Sequence, residues 1–290
     1  GRYAERAGLQ GVVDDLSVNG LESDEFPLAD YLKQNNYATG IFGKWHLGCL
    51  PEHLPLRHGF NEFFGLPYSN DMWPFHPQPG HPYRALPLYD SERVVEYNPT
   101  VNHMTTRITE RATAFIDKHK NEPFLLYVPY TQPHVPLGVS DKFKGKSGEG
   151  LYADVIMEID WSVGEIMKTL KENGLDDHTL VLFTSDNGPW LSYGNHGGST
   201  GGLREGKGTT FEGGQRVPFI ARMPGRIPAG KVSEQFLSAL DITPTIVELT
   251  GSQMPRMNEF DGENVWMTLT GQAQSHKPFY FLYDGKVEAV

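Results

Sequence analysis

The stretch Leu180-Val181-Leu182-Phe183-Thr184-Ser185-Asp186-Asn187-Gly188 sets the expectation for the fold. Its apolar start has no polar alternation, which is typical of a strand buried on both faces of a parallel sheet. Asp186 and Asn187 follow where such a strand would end, and ligands of open α/β proteins bind at that edge. Their oxygens suit a hard cation such as calcium or magnesium, although Asp-Asn-Gly is also ordinary turn chemistry.

Strands alternate with helices on both sides of this stretch. The apolar patterns predict further strands at 37–42, 123–130, 217–221 and 279–283, and helices at 104–118, 151–172 and 241–249. This order predicts βα units, and therefore an α/β fold with a mainly parallel sheet and helices on both faces. Prolines interrupt residues 49–100, which we expect to form an irregular pocket wall.

Composition excludes several classes of protein. The 290 residues are 38% hydrophobic and 21% charged, which is typical of a globular chain. The formal net charge is −11 without a basic block, so a nucleic-acid partner is not expected. No apolar run approaches the roughly 18 residues of a membrane span. Cys49 is the single cysteine, so an internal disulfide is excluded.

Other polar residues also follow predicted strand ends. Lys44 and His46 come after the strand at 37–42, His134 comes after the strand at 123–130, and Lys207 lies on a long glycine-rich loop. A lone lysine is usually solvated and a lone histidine is usually structural, but parallel strand ends share one edge of a sheet. We therefore predict that these residues surround Asp186, with cations stabilising an oxyanion and a histidine protonating a leaving alcohol. A metal there would activate the nucleophile and polarise the ester, so the chemistry fits a sulfate or phosphate ester.

Three stretches resemble signature sequences of the sulfatase family, and Thr131-Gln132-Pro133-His134 falls where a fourth is expected. The nearest subgroup is the arylsulfatase A-like enzymes, and the resemblance covers nearly the whole chain. The three stretches are Gly43-Lys44-Trp45-His46-Leu47-Gly48, Ser185-Asp186-Asn187-Gly188-Pro189 and Gly206-Lys207-Gly208-Thr209-Thr210-Phe211-Glu212-Gly213-Gly214.

The resemblance implies an alkaline-phosphatase-like α/β fold and particular roles for these residues. Lys44 and Lys207 match the family's sulfate-binding lysines. His46 matches a residue that bonds the nucleophile, and His134 matches one near the leaving oxygen. His196, in the neighbouring loop, is carried over as a substrate-binding residue.

The resemblance also implies one calcium ion. Asp186 and Asn187 match two of the family's calcium ligands. The remaining ligands are paired aspartates on the family's first strand, which we expect upstream of this chain. Asp14 and Asp15 lie on the wrong side of Gly1-Arg2-Tyr3 to be that pair, so we interpret them as a solvated loop pair.

The family nucleophile is missing from the chain. Sulfatases use a formylglycine made from a Cys/Ser-x-Pro-x-Arg stretch, and no such stretch occurs here. Cys49 lacks the arginine and follows the lysine–histidine motif, so it is rejected as the nucleophile. The expectation is that the chain begins just after the nucleophile segment, so the fold is incomplete at the N-terminus and the chain alone is inactive and poorly stable.

The resulting prediction is a sulfuric ester hydrolase whose natural substrate is a sulfated sugar or polysaccharide. We expect residues 1–251 to form the catalytic α/β domain and residues 252–290 to begin a C-terminal subdomain. Export is expected from the family, and oligomeric state is not predicted. Two alternatives stay open: a phosphoester or phosphonate hydrolase of the same superfamily, and a non-catalytic protein that binds sulfated glycans.

Overall fold

The computed structural model describes residues 1–9, 11–77, 83–253, 260–272, 275–283 and 286–290. The chain forms two compact units. The first unit is Ala7–Asn173, and the second unit is Gly1–Arg6 together with Gly174–Val290. The predicted boundary at residue 251 separates a catalytic domain from a C-terminal subdomain. These two units do not test it, and it stays a prediction.

The first unit contains a five-stranded mixed sheet and three α-helices. The elements are α1 (Leu28–Lys33), β1 (Ala38–Lys44), β2 (Glu62–Leu66), β3 (Pro87–Asp90), β4 (Arg93–Tyr97), α2 (Met104–His119), β5 (Phe124–Tyr127) and α3 (Leu151–Glu172). Strand β1 lies between β2 and β5 and is parallel to both, while β3 and β4 continue the sheet beyond β2 in antiparallel fashion.

The two faces of β1 pack against different helices because neighbouring residues of a strand point to opposite faces. Phe42 packs into the core beneath α2, where its ring lies 5.7 Å from that of Phe115. Ile41 points the other way and packs with Ala29 of α1 and with Trp45. Helices therefore cover both faces of the sheet in this unit, which confirms the predicted α/β class.

The long helices agree with the sequence pattern. α3 spans the predicted residues 151–172, and α2 ends one residue beyond the predicted 104–118. Ile108, Ala112 and Phe115 are buried along one side of α2, as the spacing of apolar residues indicates.

The second unit contains two separate antiparallel strand pairs, β6 with β7 and β8 with β9. Its elements are β6 (Val181–Thr184), α4 (Glu212–Gln215), β7 (Phe219–Arg222), α5 (Ile242–Leu249), α6 (Trp266–Leu269), β8 (Phe281–Tyr283) and β9 (Lys286–Ala289). A 3₁₀ helix, Ala239–Asp241, precedes α5.

The expectation of a buried parallel strand at residues 180–183 is wrong. β6 is antiparallel to β7, and Phe183 keeps 37% of its surface exposed. An apolar run shows that both faces of a strand are apolar. It does not show whether the neighbouring strand is parallel or antiparallel. β5 also differs from the expected buried strand, since Tyr127 is 50% exposed.

The region 49–100 is more regular than predicted, because β2, β3 and β4 lie within it. They are only four or five residues long, and intervening prolines hide them in the sequence. Among the helices of the described ranges, none has the length and apolar character required to cross a lipid bilayer.

Candidate functional site

The ends of β1 and β2 hold the lysine–histidine motif of the first unit. Backbone hydrogen bonds continue past the strands, from Trp45 N to the Leu66 carbonyl (2.9 Å) and from His46 N to the Pro67 carbonyl (3.0 Å). Lys44 N donates to the Pro129 carbonyl at 2.7 Å. These bonds hold the motif between the segments that follow β2 and β5.

His46 is held as a neutral imidazole. Its Nε2 lies 2.9 Å from the Val13 carbonyl, which can only accept, so Nε2 carries the proton and Nδ1 has the lone pair. Burial, and then the charge of Lys44, lower the pKa of His46 to about 4. Its backbone φ is +62°, an uncommon value for a residue other than glycine and one found often at functional sites.

His134 follows β5 and lies beside the segment after β2. Its Nδ1 is 2.7 Å from the Val135 carbonyl, so this nitrogen carries the proton of the neutral ring. Ser69 Oγ lies 3.4 Å from the same nitrogen, and Asp71 Oδ1 lies 3.9 Å from it. The charge of a protonated His134 also lowers the pKa of His46, so the two rings are within electrostatic reach.

The structure adds a polar run, Ser69-Asn70-Asp71, to the residues predicted from the sequence. These residues follow β2 as His46 follows β1, whose last residue is Lys44, so the same signal of polar residues at the end of an apolar strand is present. Ser69 and Asn70 are almost fully buried, and Asn70 Nδ2 donates to the Pro136 carbonyl at 3.3 Å. The run was overlooked because the surrounding prolines and aromatics indicate an irregular loop.

The interpretation of Asp14 and Asp15 as a solvated pair is wrong for Asp15. Its side chain is buried, and Oδ2 accepts a hydrogen bond from Arg84 N at 2.7 Å. That backbone donor, 69 residues away, was invisible in the sequence. Burial, and then the charge of Asp15, raise the pKa of Cys49. A thiol of raised pKa is a poor nucleophile, in keeping with the rejection of Cys49.

In the second unit, the two remaining motif stretches are hydrogen-bonded to each other. Gly188 N donates to the Gly214 carbonyl, and Lys207 N donates to the Pro189 carbonyl, both at 2.9 Å. A Cβ on Gly188 would lie 1.8 Å from the Gly213 carbonyl oxygen, so only glycine fits this contact. The stretch carrying Asp186 and Asn187 is therefore fixed against the stretch carrying Lys207.

Side chains at this site differ in how they are held. Asp186 is exposed, and its Oδ1 accepts a hydrogen bond from Asn187 N at 3.0 Å. The Lys207 ammonium lies 4.9 Å from the centre of the Trp190 ring. His196 is exposed at the end of the 3₁₀ helix Leu191–His196.

The donors at Asp186 and Asn187 fit a hard cation, because both side chains offer oxygen. Two residues supply only part of the six to eight oxygens that calcium usually takes. Within the described ranges, no group of three or more His, Cys, Asp and Glu side chains is arranged to hold a metal. The two residues therefore fit part of a site for a hard cation.

The predicted site residues thus form two groups. The first unit holds Lys44, His46 and His134, and the second unit holds Asp186, Asn187, His196 and Lys207. Their meeting in one pocket stays a prediction. The first group alone defines an α/β protein with a cation and two histidines at the ends of parallel strands, a class suited to anionic esters.

Comparison with known proteins assigns the family. The model of the sulfatase family matches residues 1–252. The chain is 38% identical to arylsulfatase A of Bos taurus, across 100% of this chain and 60% of that protein. It is 38% identical to N-acetylgalactosamine-6-sulfatase of Canis lupus familiaris, across 94% of this chain and 54% of that protein. The chain belongs to the sulfatase family.

A solved structure agrees with this assignment. The crystal structure of Ps i-CgsB in complex with k-i-k-neocarrahexaose matches with a TM-score of 0.81 and 32% identity. The match covers 93% of this chain and 64% of that chain. The chain therefore has the sulfatase fold, of the alkaline-phosphatase-like class predicted from its sequence, and spans about three fifths of the relatives that it matches.

Proposed function

We propose that the protein is a sulfuric ester hydrolase that cleaves sulfate from an aryl or carbohydrate sulfate ester. The observation that carries the proposal is the grouping of Lys44, neutral His46 and His134 at the ends of β1 and β5, in a chain of the sulfatase family.

Each residue has a role in this proposal. Lys44 and Lys207 bind the sulfate oxygens and offset the negative charge that grows on them. Neutral His46 accepts a hydrogen bond at Nδ1 from the nucleophile. His134 donates a proton from Nε2 to the oxygen of the leaving alcohol. His196 contacts the rest of the substrate.

Asp186 and Asn187 would hold a calcium ion together with ligands from outside this chain. When bound, calcium supplies positive charge that polarises the sulfate ester and orients the nucleophile. Backbone hydrogen bonds join the stretches 185–189 and 206–214, and they favour this role because they hold the proposed calcium ligands at a fixed position relative to Lys207.

The nucleophile belongs to an upstream segment in this proposal. Its precursor would be a Cys or Ser within a Cys/Ser-x-Pro-x-Arg stretch, converted to formylglycine, and residues 1–290 contain no such stretch. Sequencing the region upstream of Gly1 tests this part directly, since the absence of the stretch would favour a non-catalytic protein.

The substrate class is a sulfated sugar or polysaccharide. One relative is named for N-acetylgalactosamine-6-sulfate chemistry, and the solved structure carries a neocarrahexaose. Trp73 and Phe75, whose rings lie 5.0 Å apart, follow Asp71 closely and offer apolar faces for a sugar ring. Export from the cytoplasm is expected on the same family grounds.

Paired aryl sulfate and aryl phosphate substrates test the function on the full-length protein. We expect the sulfate to be hydrolysed faster, and Lys44→Met to lower that rate by about 100-fold because a cation at the oxyanion is lost. Lys168→Met is the matched control, since Lys168 is exposed and pairs only with Glu172 at 3.9 Å among its described ion pairs.

Two results would contradict the proposal. Faster hydrolysis of the phosphate would indicate a phosphoester hydrolase. Binding of a sulfated glycan without hydrolysis of either ester would indicate a non-catalytic binding protein.

A further inference from the structure

Asp71 is a partly buried carboxylate that has no part in the roles proposed above. Its side chain is 13% exposed, and its Oδ1 is buried without a hydrogen-bond partner in the described part of the chain. A buried carboxylate oxygen left without a donor destabilises a protein unless a nearby positive charge compensates it. The nitrogen at ion-pair distance is His134 Nδ1, 3.9 Å away.

The charges around His134 show why a carboxylate is needed there. Burial, and then the charge of Lys44 at the end of β1, lower the pKa of His46, and the Lys44 charge also opposes a second cation in this group. His46 is neutral near pH 7, so it does not offset the charge of Lys44. Asp71, after β2, has the opposite sign: its charge opposes the lowering of the His46 pKa, and it adds to the rise that burial causes in the pKa of Tyr83. Its field therefore covers the whole group.

We propose that Asp71 is a positioning residue that stabilises the protonated form of His134 and so allows His134 to act as the acid. At 3.9 Å it acts on Nδ1 through its charge, while the Val135 carbonyl accepts the Nδ1 hydrogen bond. This inference rests on the proposed sulfatase function.

In the proposed step the nucleophile forms a bond to sulfur as the bond between sulfur and the ester oxygen breaks, and the electron pair of the broken bond stays on that oxygen. The Nε2 proton of His134 moves to the oxygen, which leaves as a neutral alcohol. His134 becomes neutral and keeps its Nδ1 proton, and the Asp71 carboxylate is unchanged.

Asp71→Asn keeps the size of the side chain and removes its charge. In an NMR titration of the full-length protein, we expect the midpoint of the His134 ring to fall by about one pH unit, because a carboxylate within about 6 Å favours the charged ring. Hydrolysis of an alkyl sulfate of a sugar should slow about 10- to 100-fold, since an alkoxide needs the acid. Hydrolysis of 4-nitrophenyl sulfate should slow less than about threefold, because nitrophenolate leaves without a proton.

Asp154→Asn is the matched control. Asp154 is a buried carboxylate of the first unit, and both of its oxygens accept hydrogen bonds, from Gly145 N and Ser147 N. We expect this variant to lose stability without changing the ratio of the two rates. Asp71→Glu, which restores the charge, should recover part of the alkyl sulfate activity.

The outcomes separate this inference from the function on which it rests. The role of Asp71 would be overturned by an unchanged titration midpoint of His134 in Asp71→Asn, or by equal slowing of the hydrolysis of both substrates. Either result leaves the sulfatase activity standing. If the wild-type protein hydrolyses no sulfate ester, the proposed function fails and the acid role of His134 fails with it. The titration then still shows whether Asp71 stabilises the His134 cation.

Discussion

Replacement of Gly43 by alanine tests how the end of β1 positions the candidate site. Gly43 has φ +143°, and a Cβ there would lie 1.9 Å from the Pro129 carbonyl oxygen. That oxygen accepts the hydrogen bond from Lys44 N at 2.7 Å. An added methyl group therefore forces β1 away from the segment after β5, which carries His134.

Three contributions set the size of the effect. The unfavourable φ contributes about 1–3 kcal/mol, and overpacking contributes a similar amount. Loss of the Lys44 hydrogen bond adds about 1 kcal/mol. We expect a total loss of about 3–7 kcal/mol, a large part of the roughly 5–15 kcal/mol that stabilises a typical domain.

Urea unfolding of the full-length protein, followed by tryptophan fluorescence, measures this loss, since Trp45 is buried beside the mutated position. Gly164→Ala is the control, because Gly164 lies within α3 and a Cβ there meets no atom within 4 Å. Alanine should stabilise that helix by about 0.5–1 kcal/mol. A loss below about 1 kcal/mol in Gly43→Ala would refute the reasoning, since the contributions above exceed it.

Two further predictions concern the first unit. Because the folded pKa of His46 lies below its usual value of 6.5, its contribution to stability is present above that pH and is lost as the pH falls towards about 4. Asparagine tolerates positive φ, and His46→Asn should remove up to about 3 kcal/mol of this pH-dependent stability. The measurement is the free energy of unfolding between pH 7 and 4. Equal slopes of that free energy against pH in the two proteins would contradict the prediction. Phe115→Ala should lower the free energy of unfolding by about 3–5 kcal/mol, because the ring is 2% exposed and contacts Phe42 and Phe124. Phe75→Ala, whose ring is 69% exposed, should change it by about 0.5 kcal/mol or less, and an equal effect of both variants would refute the argument from burial.

The helices could be predicted from the sequence because their signals are local. α3 begins after Gly150 and is followed by Gly174, and apolar residues recur at helical spacing between them. Strand order is different, because it depends on partners distant in sequence. The antiparallel partner of β6 lies at Phe219–Arg222, and nothing within residues 180–188 indicates it.

The candidate site divides in the same way. Lys44, His46 and His134 could be found because each follows an apolar strand and carries a family motif. The charge state of His46 could not be predicted from the sequence, since it depends on burial and on the Val13 carbonyl, 33 residues away. The environment of Asp71 also depends on a distant residue, since β2 and β5 bring it to His134.

The two histidines of the first unit have different surroundings, and this difference fits the roles proposed for them. His46 is buried beside Lys44 and donates its Nε2 proton to a carbonyl, so it stays neutral and can only accept at Nδ1. His134 has the carboxylate of Asp71 near its Nδ1, which favours a proton on both nitrogens. Ester cleavage needs both forms at the same pH, one group to hold the nucleophile by accepting its hydrogen and one to give a proton to the alcohol. Burial and the charge of Lys44 keep His46 neutral, and the carboxylate of Asp71 beside the other ring completes the proposed difference by stabilising the His134 cation.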